Sequence, residues 1–135
     1  MANVFDITAI EEVLATYFAT ALSYEDDTVR VLNDRPKTLP ETYGDFAVVK
    51  VSGNVPDLRT HSEFTVTLSL FAKDVGVIKN GRRLSVLQQR ALAACPVDLG
   101  ALCLCDYPKV AADGSDNFGF HWRMITFDAV AKIRL

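Results

Sequence analysis

The order in which helical and extended hydrophobic periodicities follow one another constrains this chain more than any motif does. Apolar residues recur in steps of three and four at Ile10, Val13, Leu14, Tyr17, Phe18, Ala21 and Leu22, which places them on one face of a helix. Three β-type runs follow. A second helical stretch then appears at Leu84, Leu87, Ala91, Leu92 and Cys95, and two further β runs close the chain. The predicted fold class is therefore α+β, an antiparallel or mixed β-sheet with two helices packed on one side, in the order α-β-β-β-α-β-β.

Local signals set the boundaries. Thr8 with Glu11 fits a capping box, with Asp6 as an alternative N-cap. Tyr24-Glu25-Asp26-Asp27 is expected to end the first helix, because carboxylates oppose the negative end of its dipole. Val29 to Leu32 reads as a short strand, and 33–44, with Pro36, Pro40 and Gly44, as a loop. Phe46 to Val51 is apolar on both faces in its middle, the pattern of a central strand. A long hairpin connection, Gly53 to Arg59, leads to the clearest strand, where Phe64, Val66, Leu68 and Leu70 alternate with Thr65, Thr67 and Ser69.

Pro96 ends the second helix, since proline lacks the N–H that would continue it. Leu99 to Tyr107 is expected as one strand, Asp113 to Asn117 as a turn, and Phe118 to Arg134 as a long final strand. The apolar face of that last strand switches from Phe118, Phe120, Trp122 and Met124 to Ile125, Phe127, Ala129, Ala131 and Ile133. Such a switch requires a bulge, a sharp bend, or burial on both sides.

A chain of 135 residues is the size of a single domain, expected to span 1–135. With 50% hydrophobic residues and a net charge of only −3, it has the composition of a globular protein rather than a disordered one. The acidic balance argues against a general nucleic-acid binder, which needs a basic face for phosphates. The first six residues, Met1 to Asp6, lack the basic and apolar regions of a signal peptide, and no apolar stretch approaches the roughly 20 residues that span a bilayer. The expectation is a soluble, cytosolic chain whose three cysteines are reduced thiols.

No cluster announces a chemistry. Cys103 and Cys105, with Cys95 or His121, sketch a zinc site, but paired zinc ligands are spaced Cys-x₂₋₄-Cys and no second pair exists, so small buried side chains are the better account. His61 and His121 have no nucleophile motif beside them. Asp113, Asp116 and Asn117 lack the alternation and terminal Glu of a calcium loop. Lys79, Arg82 and Arg83 are read as a solvated helix start rather than an anion site. The expectation is a protein that is not an enzyme and holds no metal or cofactor.

The element order resembles that of the tail-terminator, or tail-completion, proteins of lambda-type long-tailed bacteriophages. The local features that carry it are Val29-Arg30-Val31 followed by a proline-containing loop with Leu39-Pro40, the apolar strand Phe46 to Val51, a strand ending in Leu70-Phe71-Ala72-Lys73-Asp74 before the second helix, and the closing Thr126-Phe127-Asp128-Ala129-Val130. The Lys73–Gly81 and Cys105–Phe118 connections and the final strand are long for the smaller members of that family.

The resemblance implies a homo-oligomeric ring, usually a hexamer, that caps the tail tube and meets the head-tail connector protein, in the host cytoplasm during assembly and then in the virion. It implies no sequence-specific nucleic-acid binding and no membrane. The expected partner surfaces are Val55, Pro56, Asp57, Leu58 and Arg59, where an apolar Leu58 sits at a loop tip, and the Pro108–Gly119 segment with Asp113, Asp116 and Phe118. Asp106, Asp113 and Asp116 are expected to make the ring lumen acidic, which would repel passing DNA. A head-closure or connector neck protein, a small α+β domain binding a ligand between sheet and helices, and an enzyme using His121 are the competing readings.

Overall fold

A computed structural model describes residues 7–33, 44–53, 61–100, 103–115 and 119–132 of the chain. The elements run α1 (Ile7–Leu22), β1 (Arg30–Leu32), β2 (Phe46–Gly53), β3 (His61–Lys73), α2 (Gly81–Ala93), β4 (Val97–Asp98), β5 (Leu104–Ser115) and β6 (Phe120–Lys132). The strands form one mixed sheet in the order β1-β2-β3-β6-β5-β4. β1 is parallel to β2, and every other pairing is antiparallel. This is the expected α+β class and, in outline, the expected element order.

Both helices lie on the same face. Ile10, Leu14, Phe18 and Leu22 of α1 and Leu84, Leu87 and Ala91 of α2 join one core with Val49 and Val51 of β2, Val66, Leu68 and Leu70 of β3, and Ile125 and Phe127 of β6. Burying one such aliphatic or aromatic side chain contributes about 1.5–3 kcal/mol. Phe18 packs on Phe127 with ring centroids 5.6 Å apart, which pins α1 over the middle of the sheet. These side chains form the core between the sheet and the helices.

The apolar switch in the last strand is burial on both sides. Ile125, Phe127, Ala129 and Ala131 face the helices, while Phe120 and Trp122 face the opposite side, where they join a second cluster of Phe46, Val48, Phe71 and Leu32. Phe46 stacks on Phe71 at 4.6 Å. β6 pairs with β3 without interruption from His61↔Lys132 to Lys73↔Phe120. The irregularities lie in β5 instead, between Asp106 and Lys109 and between Val110 and Ala112, with Tyr107 at φ 56°.

Several boundaries differ from the sequence expectation. α1 starts at Ile7, so Thr8 is inside the helix and no capping box forms; Asp6 lies outside the described residues. Glu11 turns inward and accepts the N–H of Val51, and Val13 is exposed rather than in the core. Asn80 caps α2, its side-chain oxygen accepting the Arg83 N–H at 3.2 Å. Leu99 to Tyr107 is not one strand: Gly100, at φ +70°, turns the chain between β4 and β5. Asp113 to Ser115 belongs to β5 and is not a turn. No helix among the described residues is long and apolar enough to cross a membrane.

Candidate functional site

Two ion clusters hold the helices to the strands and turns. Arg83 places NH1 and NH2 on the two carboxylate oxygens of Asp27, each at 2.6 Å, while its Nε donates to Asp45. Arg90 also donates to Asp27 and, at 2.7 Å, to the Leu22 carbonyl at the end of α1. A cation there satisfies an orphan carbonyl and complements the helix dipole. The Arg83 hydrogen bonds, with Arg90 beside them, hold the Asp27 carboxyl at about 2. Arg83 was read from sequence as solvated; it is instead a half-buried clamp between two segments 38 and 56 residues away. Chain separation hides this from any local pattern.

The second cluster involves a residue expected to contact partners. Asp113 of β5 accepts two hydrogen bonds from Arg123 of β6, at 2.9 and 3.0 Å, and one from Lys79 at 2.9 Å. These cations, Arg123 foremost, hold its carboxyl at about 2. Arg123 continues to Gln88 and Ser85 on α2. Asp113 therefore faces α2 with its charge compensated locally, which weakens it as a source of repulsion toward DNA.

Asp106 has the opposite character. It sits on the helix-free face of β5 directly across from Asp128 of β6. Both line a groove of about 580 Å³ whose walls include Ser52, Glu63, Thr65 and Tyr107. Pro108 lies in β5, so the Pro108–Gly119 segment is strand as far as Ser115 rather than loop. Val55, Pro56, Asp57, Leu58, Arg59, Asp116 and Phe118 lie outside the described residues. The structure thus brings Asp106 together with Asp128 and Glu63, which sequence reasoning did not group, and separates it in orientation from Asp113.

The histidine and cysteine candidates lie elsewhere in the fold. His121 Nδ1 lies 2.6 Å from Asp74 Oδ1, at the base of the turn before α2. Cys103 and Cys105 are buried with their sulfurs 3.0 Å apart. The Cys105 thiol is pushed up by its hydrogen bond to Cys103 and by burial. Among the described residues no group of three or more His, Cys, Asp or Glu side chains is placed to hold a metal ion.

Two surface features were not legible in the sequence. β4 covers β5 only at Leu104 and Cys105, and among the described residues no strand pairs with the outer edge of β5 beyond them. Beside the far end of β5 projects the turn Val75–Ile78, with Val75, Val77 and Ile78 exposed at 66%, 96% and 68%. Reciprocal Val75–Ile78 backbone bonds close the turn, and the Asp74 N–H to Gly119 carbonyl bond fixes its base. The open strand edge and the exposed apolar turn thus lie at one end of the sheet. No protein-family model and no curated protein matches the chain.

Proposed function

We propose that this chain is a structural assembly protein of a phage or prophage tail or neck, forming a homo-oligomeric ring, usually of six copies, that caps the tail tube and meets the head-tail connector. The observation that supports it most is the unevenly finished sheet: helices close one face, while β4 pairs with the outer edge of β5 only at Leu104 and Cys105, and among the described residues no strand pairs with that edge beyond them. Head-to-tail contacts between two different surfaces generate rings when the rotation closes. The resemblance in element order supplies the tail or neck context. The acidic group on the helix-free face, Asp106 with Asp128 and Glu63, is the better candidate for a lumen lining that repels DNA.

Light scattering across a wide concentration range, followed by negative-stain imaging, tests the ring. Addition to growing tail tubes then tests the capping: tubes should stop at fixed length with a ring at one end. Tubes that elongate unchanged in excess protein overturn the terminator assignment. Rings that ignore tubes but bind the head connector move it to a head-closure role.

A further inference from the structure

Two thiols meet inside the core where β4 seats on β5. Cys103 and Cys105 are each 0% exposed, and their sulfurs stand 3.0 Å apart. Cys105 faces Val97 of β4 in the ladder, and the Leu99 N–H donates to the Cys103 carbonyl at 2.8 Å. Cysteine as a small apolar residue accounts for the burial, but not for two sulfurs turned onto each other. Their contact holds the Cys103 thiol below its ordinary value and, with burial, pushes Cys105 up. Cys95 differs. It is only partly buried, its sulfur lies 3.8 Å from the Ala91 carbonyl, and burial, with the Asp106 charge, raises its thiol.

We propose that Cys103 and Cys105 form an oxidation site, a dithiol that hydrogen peroxide converts to a disulfide within the chain. Residues two apart on an extended chain have Cα atoms about 6.6 Å apart, inside the roughly 4.4–6.8 Å that disulfides span. The sulfurs need approach by only about 1 Å to reach bonding distance. The Cys103 thiolate attacks one peroxide oxygen, the O–O bond breaks, and the departing hydroxide takes up the proton that Cys103 gave up. The Cys105 sulfur then attacks the sulfenic sulfur, the S–O bond breaks, and water leaves with the Cys105 proton. Two thiols and one peroxide thus give one disulfide and two waters, the sulfurs losing the two electrons that the peroxide oxygens gain.

Access comes through the cover. β4 has two residues, Val97–Asp98, and pairs with β5 only at Cys105 and Leu104. So short an edge strand opens locally at far less cost than the core. Its lifting takes Val97 off Cys105 and the Leu99 bond off Cys103, which opens the sulfur pair to a molecule as small as hydrogen peroxide. A disulfide that closes the three-residue loop Cys103-Leu104-Cys105 gains little from chain entropy, so it belongs to the labile class that small thiols reduce. The site is independent of whether the chain forms rings.

Thiol mapping of the full chain after hydrogen peroxide, folded and in urea, tests this. Remaining thiols are alkylated and the peptides fragmented. The folded chain should lose two of its three thiols, with two hydrogens gone and no oxygen added. The bond should join Cys103 to Cys105, Cys95 should carry the alkyl group, and dithiothreitol should restore all three thiols. In urea the pairing should be mixed, because the contact is gone. Cys95→Ser should oxidise like the parent, whereas Cys105→Ala should form no disulfide and leave a sulfenic acid at Cys103 that dimedone traps. The parent's peptide map decides the matter if Cys105→Ala fails to fold. A disulfide that includes Cys95, the same pairing folded and unfolded, or a folded chain that keeps three thiols where the urea sample loses them overturns the proposal. Oxygen added at Cys103 of the parent without a bond to Cys105 overturns it as well.

Discussion

Glu11 of α1 accepts a 2.8 Å hydrogen bond from the backbone N–H of Val51 on β2, with its side chain almost wholly buried. β1 covers β2 only from Phe46 to Val48, so the outer edge of β2 beyond it would otherwise present a buried, unpaired donor. The carboxylate closes that edge from the helix. Replacing Glu11 with Ala should destabilise the protein by about 1–3 kcal/mol, the cost of a buried unsatisfied group, whereas Glu11→Gln keeps an acceptor and should lose less. Urea unfolding midpoints of the two variants give the comparison. Equal losses would show that the carbonyl geometry, not the presence of an acceptor, matters.

Acid should loosen the attachment of α2 before it disrupts the core. Asp27 and Asp113 sit at about 2 in the folded state against an ordinary 3.8. The unfolded chain therefore takes up these protons first. Their stabilisation is complete above the ordinary value and is lost as pH falls from about 4 to about 2. Asp27→Asn should be less stable than the parent near neutrality and show a shallower decline through that window. Unfolding midpoints measured at intervals between about pH 2 and pH 6 read the slope directly. Parallel curves for variant and parent would remove Asp27 from the account.

Gly114 lies opposite Trp122 in the β5–β6 ladder, and a Cβ at Gly114 would stand 2.6 Å from Cε2 of the indole. The ring covers the glycine and cannot do so over a larger residue. Gly114→Ala should cost about 1–3 kcal/mol, as overpacking of a settled contact does. Trp122 is the only tryptophan, so the displacement should appear as a shifted emission maximum in the folded state. An unchanged spectrum with unchanged stability would mean the ring moves freely.

The features legible in the sequence are those carried by one face of one element. The i, i+4 apolar row Ile10, Leu14, Phe18 and Leu22 and the alternation from Phe64 to Leu70 fixed α1 and β3, and the element order followed. The errors lie where a residue's partner is distant in sequence. Asp113 looks like a turn residue until Arg123 is placed across the ladder from it, and Arg83 looks solvated until Asp27 and Asp45 reach it. The β4–β5 break was hidden because Leu99 to Cys105 stays apolar through Gly100. Glu11 was read as a cap because a buried carboxylate has no periodic signature. The acidic group on the helix-free face could be found only after register was known, since Asp106 and Asp128 are 22 positions apart yet directly opposed.

That opposition gives the last prediction. Asp106 and Asp128 are cross-strand partners on one face, and like charges directly opposite each other in an antiparallel pair are destabilising by a few tenths of a kcal/mol to about 1 kcal/mol. Asp128→Asn should therefore raise stability by that amount, and the gain should shrink as salt screens the parent's repulsion. Asp113→Asn should do the reverse and destabilise, because it removes the acceptor that holds Arg123 and Lys79. Urea unfolding at low and high ionic strength distinguishes the two. If Asp128→Asn stabilises the isolated chain yet allows DNA to be retained in assembled rings, the unfavourable pair is maintained for the potential it creates at the lumen. If it stabilises the chain and leaves retention unchanged, Asp106 and Asp128 are removed from the proposed lumen lining.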